Sequence, residues 1–525
     1  MKLDVWGISP FDAVLAAATG LLLTASFPKT DCGFFAWIAF VPLFYALKGA
    51  QPLKSLMLGM LSGIVHYATL LYWIADVIHH YGQLPRLVGA LVLLLLVLYL
   101  SFYPGLFSMI INRLSARSLP YYLTAPFVWV ALEYIKSFLI TGFPWENLGH
   151  SQHNWLRLIQ ISDMFGVYGL SAIIIAVNSA LFEALDTLSG GRSFAWKPVL
   201  GVALVMVGFL SYGTWRIETT DRAIKNAPKR MIGVVQGNID QSLKWLPSFQ
   251  HETLRRYGAL TAATLKKDPD LIIWPETALP FYFLHDEELT NQTQELVRDC
   301  RVYFVLGSPS FSKTSQETRY YNSAYLVDPK GDIAGKYDKV HLVPYGEYIP
   351  LKQYFPFLNK LVQAVGDFDS GRPGQVLPWE DSKIGVLICF EAIFPELARS
   401  MVRNGAQLLV NITNDAWFGR SSAPYQHLSM VVFRAVENHR AVARAANTGI
   451  SSFVDPAGRL LAETPLFEQA TRTRELPLMN QQSFYARYGD VFALGCILMS
   501  LIVYVTSLRF EGRASQQEHM FKDRV

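Results

Sequence analysis

Three segments in the second half of the chain carry residues that could together support nucleophilic catalysis. Cys389 ends the apolar run 384–389, and a helix is predicted from about Pro395. A cysteine at the end of a strand, just before a turn, projects from the sheet edge, where backbone N–H groups can bind an oxyanion. Free cysteines are also among the most buried residues, so position alone leaves a buried structural thiol open as an alternative.

A nucleophilic cysteine needs a basic or cationic partner, because the thiolate is the reactive form. No histidine neighbours this cysteine in sequence, and His341 and His427 could pair with it only through the fold. The segment LIIWPET instead places Glu276 just after a predicted strand. The segment YDKVHLVPYGE places Lys339 and Glu347 in an irregular stretch. Taken singly, each of these three residues could be an ordinary surface charge.

The elements that must position these residues form a soluble α/β pattern over residues 216–488, in which short apolar runs alternate with amphipathic stretches. Strands are predicted at 231–235, 271–274, 302–306, 323–327, 384–389, 408–412 and 451–454. Helices are predicted at about 246–266, 286–299, 394–403 and 427–446. The turn sequence DPKG at 328–331 predicts a hairpin, and a similar DPAG follows the last predicted strand.

Residues 1–215 have the character of a membrane domain. Of the 525 residues, 51% are hydrophobic and 17% are charged, against about 25% charged in soluble domains. A helix needs about 20 apolar residues to cross a bilayer. Seven spans are predicted before residue 216 and one after 488: 10–27, 34–47, 55–77, 87–111, 120–138, 164–185, 198–215 and 491–508. The polar stretch 141–163 is predicted to be a re-entrant or interfacial loop anchored by Trp145 and Trp155.

Basic residues in the loops predict the orientation. The loops on one side hold Lys48, Lys54, Arg113, Arg117, Arg192 and Lys197. The opposite loops hold only Lys29, Arg86 and Arg157, with Lys136 at a helix edge. By the positive-inside rule the N-terminus and the tail 509–525 are cytoplasmic, and residues 216–488 face the periplasm of a bacterial inner membrane. A cytoplasmic 216–488 domain, the alternative, would invert every loop.

In this order, the motifs WPE, YxKxHLVPYGE and ICFE resemble those of the carbon–nitrogen hydrolase (nitrilase) superfamily. The resemblance covers about residues 230–475. It implies a four-layer αββα sandwich and a catalytic triad of Glu276, Lys339 and Cys389. Phe390 and Glu391 follow the nucleophile as the family pattern implies, although Phe390 stands where tyrosine is often found. We expect Glu347, Phe390 and Glu391 to support the triad.

With a membrane block before it and one span after it, the whole chain resembles the apolipoprotein N-acyltransferase family. The matching segments are QGNIDQSLKW, YNS, NDAWFG and RAVENHR. The resemblance implies transfer of an acyl chain from a membrane glycerophospholipid to the N-terminal amine of the diacylglyceryl-cysteine of apolipoproteins. The residues expected to contact substrate are Trp145, Trp245, Asn322, Tyr345 and Trp417.

The residue types suggest how such a transfer would run. Glu276 would move protons, Lys339 would stabilise the oxyanion, and Cys389 would carry the acyl chain as a thioester in a ping-pong reaction. Neither a metal nor another cofactor is expected, because no cluster of cysteine and histidine has metal-ligand spacing. The net charge of +4 is too small and too scattered to indicate a nucleic-acid partner.

Several alternatives stay open. Aromatic residues in the loops 278–284, 345–365 and 417–425 could contact acyl chains or pack against the membrane block; they include Phe281, Phe283, Tyr354, Phe355 and Phe357. A membrane-tethered amidase or nitrile hydrolase would use the same triad, with water resolving the thioester. A transporter or receptor with a nitrilase-like domain is disfavoured, because the predicted spans contain few charges, among them Asp76, Glu133 and Glu183.

Overall fold

The first part of the chain is a bundle of helices. The computed structural model describes residues 7–117, 119–191, 193–313, 317–348 and 368–522. Helices α1–α10 are Pro10–Ala25, Val41–Leu47, Pro52–Leu70, Trp73–Tyr81, Arg86–Ser115, Tyr121–Lys136, Leu156–Ile159, Ser162–Phe165, Val167–Ser189 and Trp196–Asn226. Two 3-10 helices, Gly33–Trp37 and Leu148–Gln152, lie between them. Helices α3 and α5 pack so closely that a Cβ at Gly59 would clash with the Pro104 carbonyl oxygen.

Within the described residues, five helices are long and apolar enough to cross a membrane: α3, α5, α9, α10 and the C-terminal α16, Val491–Lys522. The predicted spans 10–27 and 120–138 form helices of 16 residues. The segment 34–47 does not form one helix, because it divides into a 3-10 helix and the short α2. The segment 55–77 likewise divides between α3 and α4. Helix α10 continues to Asn226, so the boundary predicted at residue 215 falls inside a helix.

The second part is built on two six-stranded sheets. Strands β1–β12 are Lys229–Gln236, Leu271–Ile273, Tyr303–Lys313, Thr318–Val327, Ile333–Asp338, Leu377–Trp379, Ser382–Ile388, Leu408–Thr413, Ala441–Ala446, Ser452–Val454, Leu460–Glu463 and Ala470–Pro477. Helices α11–α15 are Pro247–Leu265, Glu287–Cys300, Pro395–Arg403, Ala423–Asn438 and Phe484–Tyr488. The sheet orders are β12-β1-β2-β3-β4-β5 and β11-β10-β9-β8-β7-β6. The sheets face each other, and helices cover their outer faces, so the predicted αββα sandwich is confirmed.

Strand direction brings several strand ends to one region. Strands β1, β2 and β3 are parallel, and β5 runs in the same direction because two antiparallel pairings separate it from β3. In the second sheet β7, β8 and β9 are parallel. Carboxyl ends of parallel strands lie at the same edge of a sheet. The residues that follow β2, β5, β7 and β8 can therefore meet.

The prediction of a helix at 427–446 is wrong in its second half. Helix α14 ends at Asn438, where His439 adopts a left-handed conformation with φ 50°. Residues Ala441–Ala446 then form β9, which is fully buried between β8 and β10. Alanine favours helices in isolation, but here small side chains suit a central strand covered on both faces. The hairpin predicted at 328–331 is confirmed between β4 and β5, and the similar DPAG turn connects β10 to β11.

Candidate active site

Cys389 lies at the junction between a strand and a turn. Strand β7 ends at Ile388, and Cys389 begins the 3-10 helix Cys389–Ile393. Its φ of 54° lies in the left-handed region, which costs a residue with a side chain about 1–3 kcal/mol. Only 7% of Cys389 is exposed. The predicted placement at a strand end is confirmed, and the left-handed backbone marks a position that the surrounding structure must hold.

Glu276 follows β2 and is held by three groups. One carboxylate oxygen, Oε1, accepts a hydrogen bond from the Asn322 side-chain amide at 2.7 Å. The other, Oε2, accepts one from the Asn414 backbone N–H at 2.9 Å. The ammonium of Lys339 lies 3.5 Å from Oε1. Since Glu276 is only 6% exposed, these contacts fix its carboxylate in one orientation.

Lys339 directly follows β5 and lies between two carboxylates. Its Nζ is 2.9 Å from Oε1 of Glu347 and 3.5 Å from Oε1 of Glu276. Glu347 is itself positioned, because its Oε2 accepts a hydrogen bond from the Val343 N–H at 2.9 Å and its Oε1 accepts one from Asn322 at 2.9 Å. The predicted carboxylates and ammonium therefore form one buried network.

The charges and burial of this network determine the protonation states of Cys389 and Lys339. Burial raises the pKa of the Cys389 thiol above its usual value; the Glu276 carboxylate adds to that shift and the Lys339 ammonium opposes it. Burial would lower the pKa of Lys339, but Glu347, Glu276 and Cys389 together raise it above its usual value. The resting site therefore holds a thiol beside an ammonium, and attack by the sulfur requires a base.

Glu391 connects the turn of Cys389 to the segment of Lys339. Its Oε2 accepts a hydrogen bond from the Ile388 N–H at 2.7 Å. Its Oε1 accepts bonds from the Tyr337 hydroxyl at 2.9 Å, the Val340 N–H at 2.6 Å and the His341 N–H at 3.2 Å. Burial raises the pKa of this carboxyl to about 7, although the Ile388 N–H opposes the shift. Glu391 therefore sets the spacing of Lys339 and Cys389, two residues of the predicted triad.

Two aromatic rings and a histidine lie beside this junction. The ring of Phe390 meets Phe394 edge-on, with centroids 5.2 Å apart. His341 stacks on Phe394 at 3.6 Å, and burial together with the Lys339 charge lowers its pKa to about 4. His341 is therefore neutral and takes part in packing.

The residues expected to contact substrate separate into exposed and buried groups. Trp245 is 46% exposed and Tyr345 is 51% exposed, so both can meet a bound molecule. Trp417 is half-buried, and its ring meets Tyr81 of α4 edge-on at 4.7 Å. Asn322 is 4% exposed and bonds the two carboxylates, while its Oδ1 has no hydrogen-bond partner among the described residues. Asn322 thus belongs to the carboxylate network.

Trp145 does not lie at an exposed interface as predicted. Only 1% of it is exposed, and its indole N–H donates to Oε1 of Gln426 at 2.9 Å. Its ring packs against Trp73 at 5.1 Å and Phe418 at 6.0 Å. Trp155, in contrast, is 52% exposed. Trp145 therefore packs in the contact between the membrane block and the catalytic domain, because α14 and the 415–418 turn cover it.

The aromatic loops differ from one another in what they pack against. Phe281 and Phe283 pack in the core of the catalytic domain, and Tyr282 is the exposed ring of that loop. The 417–425 loop packs against the membrane block, since Phe418 meets Trp73 at 4.9 Å. The predicted contacts of Tyr354, Phe355 and Phe357 lie outside the described residues.

Lys244 is a site residue that the sequence did not single out. It is 1% exposed, and its Nζ donates to the Thr277 hydroxyl at 2.5 Å and to the Glu276 carbonyl at 3.3 Å. Thr277 has a left-handed φ of 47°, which is uncommon for a β-branched residue. Lys244 therefore holds the turn that presents Glu276. Its position next to Trp245 was the only sequence feature that could have indicated a role in the site. That feature is weak, because a lysine in a loop is normally solvated.

We predict that Lys244→Met slows the expected acyl transfer by about 10- to 100-fold, because leaving the Thr277 hydroxyl and the Glu276 carbonyl without this donor costs about 1–3 kcal/mol. The measurement is the rate of that expected transfer to a lipopeptide acceptor. The matched control is Lys267→Met, at an exposed lysine after α11. Equal rates in the two variants would contradict the role of Lys244.

The buried amine of Lys244 also makes the free energy of unfolding depend on pH. Burial lowers the pKa of its amine to about 7, although Glu276 opposes the shift, whereas an unfolded lysine has a pKa of about 10.4. Between these values the unfolded chain binds a proton that the folded chain has released, so stability rises with pH. The thermal midpoint should rise less in Lys244→Met than in wild type between about pH 7 and about pH 9. An equal rise would count against the lowered pKa.

Comparisons with known proteins agree with this architecture. A family model described as carbon–nitrogen hydrolase matches residues 231–485, and one described as apolipoprotein N-acyltransferase N-terminal domain matches residues 19–180. The chain is 45% identical to the apolipoprotein N-acyltransferase of Geobacter metallireducens over 95% of both chains. It is 32% identical to that of Methylococcus capsulatus, covering 96% of this chain and 97% of the relative, and 31% identical to that of Pasteurella multocida, covering 94% of each. A chain that matches such relatives over nearly its full length, with the same two regions, belongs to the apolipoprotein N-acyltransferase family.

Proposed function

We propose that this enzyme transfers an acyl chain from a membrane glycerophospholipid, through a thioester on Cys389, to the N-terminal amine of an apolipoprotein. The observation that carries the proposal is the buried cluster at the strand ends. There the Lys339 ammonium lies 3.5 Å from the Glu276 carboxylate, and both charges act on the Cys389 thiol. A nucleophile, a base and an oxyanion-stabilising cation are the groups that acyl transfer requires.

The first half-reaction forms the thioester. Glu276 takes the thiol proton as the sulfur of Cys389 attacks the ester carbonyl of the phospholipid. The Lys339 ammonium stabilises the negative charge that develops on the carbonyl oxygen. Glu276 then returns the proton to the departing glycerol oxygen, and a lysophospholipid leaves. Because the pKa of the thiol is raised, this proton transfer is a required part of the attack.

The second half-reaction uses the same groups in reverse. The neutral N-terminal amine of the acceptor attacks the thioester carbonyl, and Lys339 again stabilises the oxyanion. The amine loses a proton to Glu276, the C–S bond breaks, and that proton returns to the sulfur of Cys389. The products are an amide and the resting thiol. Glu347 and Asn322 hold Lys339 and Glu276 in place throughout.

Substrate contacts are proposed for the exposed aromatic residues beside the site. Trp245 follows Lys244, which touches the turn of Glu276, so a molecule resting on its ring would lie near the base. Tyr345 lies two residues before Glu347 and is half exposed. The acceptor carries acyl chains of its own, and large amphipathic rings suit such chains.

The location is proposed from the basic loops. Lys48, Lys54, Arg113, Arg117, Arg192 and Lys197 favour a cytoplasmic side for their loops. This orientation puts the nitrilase-like domain in the periplasm and the enzyme in a bacterial inner membrane. Residues 1–215 and 489–508 are proposed to be membrane-embedded, 216–488 to form the catalytic domain and 509–525 to be a cytoplasmic tail.

Measuring the amount of each product distinguishes acyl transfer from hydrolysis. The enzyme is reconstituted in vesicles of a phospholipid with a labelled acyl chain, and a diacylglyceryl-cysteine peptide is added. We expect one N-acylated peptide for each lysophospholipid, and little labelled free fatty acid when the peptide is omitted. Rapid release of fatty acid without the peptide would contradict acyl transfer and indicate a hydrolase.

A further inference from the structure

A buried histidine contacts the backbone of the nucleophile. His427, on α14, is fully buried, and its Nε2 lies 3.1 Å from the Cys389 carbonyl oxygen. A carbonyl only accepts hydrogen bonds, so Nε2 carries the proton and donates it. The other ring nitrogen, Nδ1, lies 3.2 Å from the Arg444 guanidinium, which donates, and 3.2 Å from Oδ1 of Asp415, which accepts. With either partner at Nδ1, the Nε2–H of the ring points at the Cys389 carbonyl.

Neighbouring charges keep this imidazole in place. Burial and the Arg444 charge lower the pKa of His427, although Asp415 opposes the shift. Asp415 contacts Nδ1 at 3.2 Å and is itself paired with Arg444 at 2.7 Å. The arrangement is rigid because both charged partners of the ring are fully buried.

The contact matters because the Cys389 backbone is strained. Its left-handed φ of 54° must be maintained by neighbouring groups. On one side Glu391 binds the Ile388 N–H. On the other side His427 binds the Cys389 carbonyl. Rotation of that carbonyl would turn the Cα–Cβ bond and move the sulfur relative to Glu276.

The preceding residue joins the same helix to the membrane block. Oε1 of Gln426 accepts the indole N–H groups of Trp145 at 2.9 Å and Trp73 at 3.3 Å. Its Nε2 donates to the carbonyls of Pro28 at 3.1 Å and Leu70 at 3.3 Å. Gln426 is 1% exposed, so one amide satisfies four polar groups that come from α4, the end of α3 and two loops of the membrane block.

Helix α4 also holds the turn that carries Asp415. The Tyr81 hydroxyl donates to the Ala416 carbonyl at 2.8 Å. The Ser422 N–H, just before α14, donates to the Tyr72 hydroxyl at 3.2 Å. The membrane block therefore reaches the partners of His427 by two routes, through Gln426 and through the 415–418 turn.

We propose that His427 is a positioning residue that holds the nucleophile, and that Gln426 makes this positioning depend on the docking of the membrane block. The inference rests on the proposed role of Cys389. In this proposal, residues outside the triad couple the position of the membrane helices to the reactivity of Cys389. Active geometry at the sulfur then exists only where the catalytic domain is seated on its membrane helices.

The test compares two substitutions at His427 in the full-length enzyme in phospholipid vesicles. His427→Phe keeps a ring and removes the donor, whereas His427→Gln keeps an N–H near the position of Nε2. We expect the rate of Cys389 acylation, followed by intact mass, to fall at least 100-fold in His427→Phe and less than 10-fold in His427→Gln. His427→Phe within a few-fold of wild type, or a folded His427→Gln that loses more than 100-fold, would overturn the proposal.

The Gln426 part has its own test. Gln426→Met is expected to slow acylation, and the double variant with His427→Phe should be no slower than His427→Phe alone, because both act through one contact. Additive losses would overturn the coupling. His251→Phe, at a histidine that is 54% exposed, is the matched control and should acylate at the wild-type rate. A wild-type enzyme that forms no adduct on Cys389 would instead refute the proposed function.

Discussion

Glu276→Gln is expected to slow acyl transfer by about 10²- to 10⁴-fold while making the Cys389 thiol easier to ionise. The two effects have opposite signs because Glu276 has two influences on the sulfur. As a base it accepts the thiol proton during attack, and glutamine cannot. As a negative charge it raises the pKa of the thiol, and glutamine does not. Loss of activity should therefore accompany a gain in thiolate.

Two measurements separate these influences. Transfer is followed with the lipopeptide acceptor, and thiolate with the rate of alkylation by iodoacetamide as a function of pH, since the thiolate is the reacting form. In Glu276→Gln the alkylation profile should shift to lower pH than in wild type. Glu288→Gln, at a glutamate that is 72% exposed, should change neither. An alkylation profile that shifts upward in Glu276→Gln would contradict the assigned charges.

Lys339→Met is expected to slow transfer by about 10²- to 10³-fold, the usual loss when an oxyanion-stabilising group is removed. The fold should also lose about 3–5 kcal/mol, because breaking a buried ion pair leaves charges without a partner. Here two carboxylates, Glu276 and Glu347, would remain buried and unpaired. The alkylation profile should move to higher pH, opposite to that of Glu276→Gln, because the cation that favours the thiolate is gone.

Lys336→Met is the matched control for this variant. Lys336 lies on β5, three residues before Lys339, and pairs with Asp338 at 2.8 Å, but both side chains are partly exposed. Exposed pairs contribute about 0–1 kcal/mol, so its transfer rate and thermal midpoint should stay close to wild type. If Lys339→Met transferred acyl chains at the rate of Lys336→Met, the proposed role of Lys339 would be refuted.

Much of this site could be predicted because its residues follow strands. The apolar runs before Glu276 and Cys389 have the length and composition of buried strands, and parallel strands bring their ends together. Strand β5, which precedes Lys339, was not predicted, because its sequence IAGKYD is not an apolar run. The runs predicted an α/β domain, and the resemblance of three ordered motifs implied the sandwich. The structure adds the distances, and it shows Asn322 and Glu391 joining the segments.

Other features depend on contacts that sequence patterns do not encode. Lys244 and His427 act through residues that are distant in the chain, and nothing in their local sequence indicates burial. Trp145 looked like an interfacial anchor because its loop is polar, but the catalytic domain covers it. Strand β9 contains four alanines and one arginine, Arg444, and its pattern favours a helix until the neighbouring strands are known.

The most direct test of the central claim is the mass of the enzyme after incubation with phospholipid vesicles and no acceptor. The account predicts a mass increase of one acyl group, located on the peptide that contains Cys389, absent in Cys389→Ala, and lost when a diacylglyceryl-cysteine peptide is added and becomes N-acylated. An adduct on another residue, or N-acylated peptide formed by Cys389→Ala, would contradict the account.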